Sequence, residues 1–177
     1  DAGATLDTGG HNQQVADLVN AGTVTLASRR ADSYLMANNY VGQNGTMKLS
    51  LDGIKQVADK LVIDGGTASG QTTLVVQPIN SGGFVVEALN GAQTTAQTTK
   101  DAFNLQREYV LAGAYEYRLY AGDAQGQGEN WYLRSEFRPD VPLYSALPNV
   151  LRGDTLMMLG TLHQRMGDEV HDGRAGS

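Results

Sequence analysis

The sequence predicts an all-β body, and three observations carry that prediction. Glycine is frequent and proline scarce, 22 residues against 4, and threonine, asparagine and glutamine recur throughout, a balance that suits short strands and tight turns better than helices. Apolar residues alternate with threonine, lysine or serine in run after run, so one side of each run can enter a core while the other meets water. Glycine then separates successive runs.

The first run, Val15, Leu18 and Val19, reaches Gly22 and continues through Val24 and Leu26, which reads as strand, turn, strand. The Asn44-Gly45 pair leads into a second alternation at Met47, Leu49 and Leu51, and Leu61 to Ile63 with Gly65, Gly66 and then Leu74 to Val76 supplies a third. Recurrence at about 20 residues fits stacked solenoid coils. An antiparallel sandwich or jelly roll, with strands every 8–12 residues or so, fits the same runs, and the pattern by itself leaves both open.

After Lys100 the texture changes, because Phe103, Tyr109, Tyr115, Tyr117, Tyr120, Trp131 and Tyr132 fall close together. Tyr115, Tyr117 and Leu119 share one face of a strand, with Glu116, Arg118 and Tyr120 on the other. The glycine-rich stretch from Gly122 to Gly128 can return the chain into Trp131, Tyr132 and Leu133, which predicts a hairpin with a long loop.

Arg138-Pro139-Asp140-Val141-Pro142 favours extended backbone and marks a boundary. Beyond it Leu151, Thr155, Leu159, Leu162 and Met166 recur at spacings of three and four, with Asp154 as N-cap and Gly173 past the end, which predicts a helix. Leu156, Met157 and Met158 widen its apolar side, so the helix needs a partner.

With 177 residues and 41% hydrophobic content, the chain can bury one core, or one elongated domain plus a tail. A formal charge of -6 without a Lys/Arg run argues against nucleic acid and against an anionic membrane surface. The absence of cysteine excludes disulfides, thiolate metal sites and a cysteine nucleophile. No apolar run approaches the roughly 20 residues of a spanning helix. Asp1 opens without a basic and apolar leader, so the chain is expected to be a fragment.

No constellation of catalytic type emerges. His163 and His171 would stand about 12 Å apart on one helix, too far for a shared metal. His11 has Asp7 and Asp17 nearby but no nucleophile, and Gly66-Thr67-Ala68-Ser69-Gly70 lacks the spacing of a nucleophile elbow. Asp64-Gly65-Gly66 reads as a turn and not as a calcium loop, and Asn44-Gly45-Thr46, formally a glycosylation acceptor, reads the same way. Arg29-Arg30 and the pair Arg134 and Arg138 are solvated charges. Asp59 with Asp64, and Asp101 with Glu108, are the close acidic groupings.

Several longer motifs occur in series. Asn39 to Thr46 is followed by Asp59 to Gly70, Val86 to Ala92, Ala112 to Tyr120 and Asn130 to Ser135, and then by Arg138 to Tyr144 and Gly160 to Gly167. In this order, from about Val15 to about Arg174, the chain resembles the C-terminal end of pertactin-like bacterial autotransporter passengers, proteins of type V secretion. The resemblance implies a right-handed single-stranded parallel β-helix with an aromatic C-terminal hairpin cap, followed by a helical linker. Residues 1–102 would form passenger coils, 103–137 an autochaperone-like cap, and 138–177 a linker leading to an outer-membrane barrel not contained in this chain.

On this reading the cap is built from Tyr109, Tyr115, Tyr117, Leu119, Tyr120, Trp131, Tyr132 and Leu133, and the linker helix from Leu151, Leu159, Leu162 and Met166. The expected role is to nucleate and cap β-helix folding during secretion across the outer membrane, in a virulence or adhesion factor displayed on the cell surface or released, with the linker in the outer-membrane pore. Its partners would be its own upstream passenger and its own barrel. Neither catalytic residue, cofactor nor metal is expected, and no nucleic acid. Two alternatives remain: an adhesin surface for a host-cell ligand without a folding role, and a β-helix enzyme acting on polysaccharide.

Overall fold

The computed structural model describes residues 2–83, 85–90 and 97–140. Within them every regular element is a strand. The expected linker helix, with Leu151, Leu159, Leu162 and Met166, lies outside the described residues.

The strands are β1 (Thr5–Asp7), β2 (Gln13–Asn20), β3 (Thr23–Thr25), β4 (Tyr34–Asp52), β5 (Val57–Ala58), β6 (Lys60–Ile63), β7 (Thr67–Asn80), β8 (Val85–Asn90), β9 (Gln97–Thr98), β10 (Phe103–Leu105), β11 (Val110–Ala112), β12 (Tyr115–Ala121) and β13 (Trp131–Phe137). Most of the pairing is parallel and organised in three ladders. The first runs Leu6, Val24, Met47, Leu74, Leu105 through β1, β3, β4, β7 and β10. A second runs Gln13, Leu35, Leu61, Leu89 through β2, β4, β6 and β8, and a third runs Leu18, Tyr40, Ala68, Thr98 through β2, β4, β7 and β9.

Each pass of the chain visits the three ladders in the same order, and each rung lands beside the equivalent rung of the pass before. This is the pairing that stacked coils require. The alternation read from the sequence is the inward face of these rungs: Leu35, Ala37, Leu49 and Leu51 are fully buried. Leu26, Met47, Leu61 and Ile63 join them in one continuous core.

The corners have their own chemistry. β4 turns at Asn44, which takes a positive φ of 56°, and the register shifts there by one residue. Beneath this corner the buried Asn20 amide donates to the Tyr40 hydroxyl at 3.0 Å and to the Thr46 carbonyl at 3.2 Å. Tyr40 and the Thr72 hydroxyl are 2.7 Å apart, so the polar atoms inside the corner satisfy one another. At the neighbouring corner Gly70 has φ of 76°, and a Cβ there would collide with the carbonyl of Gly42 on the adjacent coil. Only glycine combines that dihedral with that approach.

After β10 the direction of pairing changes. β11, β12 and β13 form an antiparallel meander, and β13 lies antiparallel along β8.

Candidate functional site

The distinctive chemistry gathers where the parallel ladders end and the meander begins. β12 and β13 pair from Tyr115 opposite Phe137 to Ala121 opposite Trp131. Their connection is folded by Asp123, whose carboxylate accepts the amides of Gln125 at 2.9 Å and Gln127 at 2.8 Å, while Gly122 donates to the Asn130 carbonyl at 2.7 Å. The long glycine-rich loop is therefore a fixed turn with the positive φ values at Gly122, Gly126 and Gly128 that such turns require.

The pleat separates two faces. On the inner face Tyr117 and Leu133 are fully buried and Trp131 nearly so, while Tyr115 and Leu119 are half-buried and pack on the core. On the outer face Arg134 lies over the rings of Tyr120 and Tyr132, 4.8 and 5.5 Å from their centroids. Arg118 lies over Tyr109 at 5.7 Å and pairs with Glu116 at 2.9 Å. The eight residues singled out in the sequence thus divide: Tyr115, Tyr117, Leu119, Trp131 and Leu133 face the core, whereas Tyr109, Tyr120 and Tyr132 support arginines outside it.

Four contacts join the meander to the coils. The Tyr117 hydroxyl donates to the Gly82 carbonyl at 2.6 Å, and the Tyr115 ring occupies the space where Gly83 has no side chain. A column of rings crosses the junction: Tyr40 stacks on Phe103 at 5.7 Å, and Phe103 meets Trp131 edge-on at 5.4 Å.

The fourth contact is Glu129. Its carboxylate accepts the Thr98 amide at 2.7 Å and the Thr98 hydroxyl at 2.8 Å, and Lys100 donates to the neighbouring Gly128 carbonyl at 3.2 Å. These donors, the Thr98 amide foremost, hold the Glu129 carboxyl below its ordinary value of 4.5. Elsewhere Asp52 is held low by the Lys55 amide, and burial pushes the Tyr40 phenol up.

Phe103, Tyr40, Glu129 and the Gly82-Gly83 pair are junction residues that were not singled out as cap members. Phe103 carried a signal, an aromatic opening an alternating triplet just before the meander. Glu129 carried none, because its partner lies 31 residues away.

The acidic groupings resolve differently. Asp59 is fully buried and accepts from the Ser33 amide and hydroxyl at 2.9 and 2.7 Å and from the Ser50 amide at 2.7 Å; it ties two coils together and is turned away from Asp64 in the solvent. Asp101 and Glu108 are both exposed. Among the described residues no three His, Cys, Asp or Glu side chains converge as metal ligands.

Residues 13–119 match the family described as Autochaperone Domain Type 1. The adhesin BmaC autotransporter of Brucella suis biovar 1 (strain 1330) is 31% identical over 180 residues, a match covering 85% of this chain and 5% of that protein. The uncharacterized protein YuaQ of Escherichia coli (strain K12) is 32% identical over 178 residues, covering 86% and 12%. The autotransporter adhesin AIDA-I of Escherichia coli is 33% identical over 138 residues, covering 68% and 10%. The chain therefore spans a small part of the length of these relatives.

Proposed function

The chain belongs to the autotransporter passengers, as an autochaperone region of type 1, and from that premise we propose that it nucleates and caps a right-handed single-stranded β-helix during secretion across the outer membrane. The observation that carries this reading is the pairing of β13 with β8. In the second ladder the position after Leu89 is taken by a strand running the opposite way, so no further parallel coil can be added there. In the third ladder the Thr98 amide is taken by Glu129. Unpaired strand edges template aggregation, and closing them leaves the other end of the stack free to grow.

The aromatic column supplies the driving force. Each ring can remove roughly 150–250 Å² from water, and Tyr40 and Phe103, distant in sequence, have ring centroids 5.7 Å apart, while those of Phe103 and Trp131 are 5.4 Å apart. A junction formed first would offer its coil as the surface on which the upstream passenger pairs, so that folding free energy opposes backsliding. The partners on this reading are the upstream passenger and the outer-membrane barrel, the product is displayed at the surface or released, and the role is not enzymatic. What a host surface binds would belong to the rest of the passenger, as the adhesin names of two relatives suggest for those proteins.

The test is refolding of a longer passenger from denaturant with and without residues 103–137. The proposal expects slow refolding and a protease-sensitive coil in the deletion. Equal rate and yield would reduce this region to a stalk.

A further inference from the structure

Two of the three ladders end on a partner; the first ends differently. Thr72 donates its amide to the Ala102 carbonyl at 2.9 Å, and Gln106 donates to the Leu74 carbonyl at 2.9 Å. With Asn104 opposite Thr73, these bonds set the alternation of the strand: Ala102, Asn104 and Gln106 address β7, and the N–H and C=O groups of Phe103 and Leu105 point away from it. Among the described residues those outward groups meet no backbone partner.

Along this edge runs an open groove of about 600 Å³ lined by Phe103, Leu105, Leu119 and Trp131, with Lys100 and Arg107 beside it. Both cations are exposed, and Glu108 is the one acid lining the groove. Backbone donors and acceptors at strand spacing are matched by another extended backbone, and the apolar lining takes its alternate side chains. The cations at the two ends of β10 set the charge of what fits.

We infer that β10 is a docking edge for an extended acidic peptide, which adds as the next rung of the ladder Leu6, Val24, Met47, Leu74, Leu105. The occupant has apolar residues at alternate positions and carboxylates toward its ends, where Lys100 and Arg107 stand. A flanking basic peptide is rejected by the same charges.

The probe is a blocked peptide of alternating valine and threonine with an aspartate at each end, added to the whole chain while amide hydrogen exchange is followed. Saturable slowing of the Leu105 amide, by about tenfold or more at concentrations up to about 1 mM, is the expected result, together with a change in Trp131 fluorescence. Leu105→Pro removes the outward N–H while leaving the bonds of Asn104 and Gln106 to β7, and should abolish binding; Arg107→Glu, which touches no ladder bond, should weaken it. The inference is overturned by a Leu105 amide already protected in the dilute free chain, by protection that appears only as the chain self-associates, or by equal binding of an N-methylated peptide that cannot pair. None of these outcomes depends on whether the region accelerates folding.

Discussion

The ring of Phe103 meets that of Trp131 edge-on, with centroids 5.4 Å apart and planes inclined at 75°. Phe103 is the opening residue of the last parallel rung and Trp131 the opening residue of the strand that lies on β8, so this contact is where the coil and the meander share a core. Trp131→Ala removes the edge contact and leaves a cavity beneath Phe103, and is expected to cost about 3–5 kcal/mol. Guanidinium unfolding measures it. A loss below about 1 kcal/mol would mean that the site collapses freely and that the column is not continuous.

Tyr117 offers a finer probe of the same junction. Its ring is fully buried and its hydroxyl reaches the Gly82 carbonyl, so Tyr117→Phe keeps the packing and removes that bond. The expected cost is about 1–2 kcal/mol, with limited proteolysis increased near Gly82. An unchanged midpoint in denaturant would show that water replaces the hydroxyl.

Much of the coil was legible in the sequence because burial in a strand has a period of two: Met47, Leu49 and Leu51 announce their face. The direction of pairing was not legible, since parallel and antiparallel sheets share that alternation. Successive rungs of the first ladder fall 18, 23, 27 and 31 residues apart, as Leu6, Val24, Met47, Leu74 and Leu105 show, and a repeat that lengthens at each pass has no fixed period to detect. The family resemblance supplied what the spacing withheld. For the candidate site, the inward set Tyr115, Tyr117 and Leu119 followed from the pleat. The support that Tyr109, Tyr120 and Tyr132 give to arginines depends on the meander, whose pairing brings Arg118 and Arg134 over their rings, and the burial of Asp59 depends on Ser33 and Ser50, 26 and 9 positions away.

Gly70 tests the coil itself and not the cap. Its φ of 76° already costs a substituted residue about 1–3 kcal/mol, and a Cβ would press on the Gly42 carbonyl. Gly70→Ala should therefore lower stability by at least about 2 kcal/mol, whereas Gly126→Ala, with a similar φ of 74° and open space around it, should cost less. The difference in thermal midpoint between the two variants isolates the clash from the dihedral; equal losses would place the whole effect in φ.

Glu129 makes the junction sensitive to acid. Its carboxyl is held below the ordinary 4.5 in the folded chain by the Thr98 amide and hydroxyl, so below that value the unfolded chain binds the proton more readily than the folded one. The stabilisation is complete above pH 4.5 and is lost as pH falls through the lower folded value. Asp52, held below 3.8 mainly by the Lys55 amide, acts in the same direction from a different loop and remains in the variant as an internal control. Glu129→Gln keeps one acceptor for the Thr98 amide but loses the charge that strengthens both bonds, a cost of about 1 kcal/mol at neutral pH. Unfolding free energies measured at neutral pH and again near pH 3 should converge for the two proteins, because protonated Glu129 resembles the amide. If the gap between them persists in acid, the carboxylate charge is not what holds the loop to Thr98.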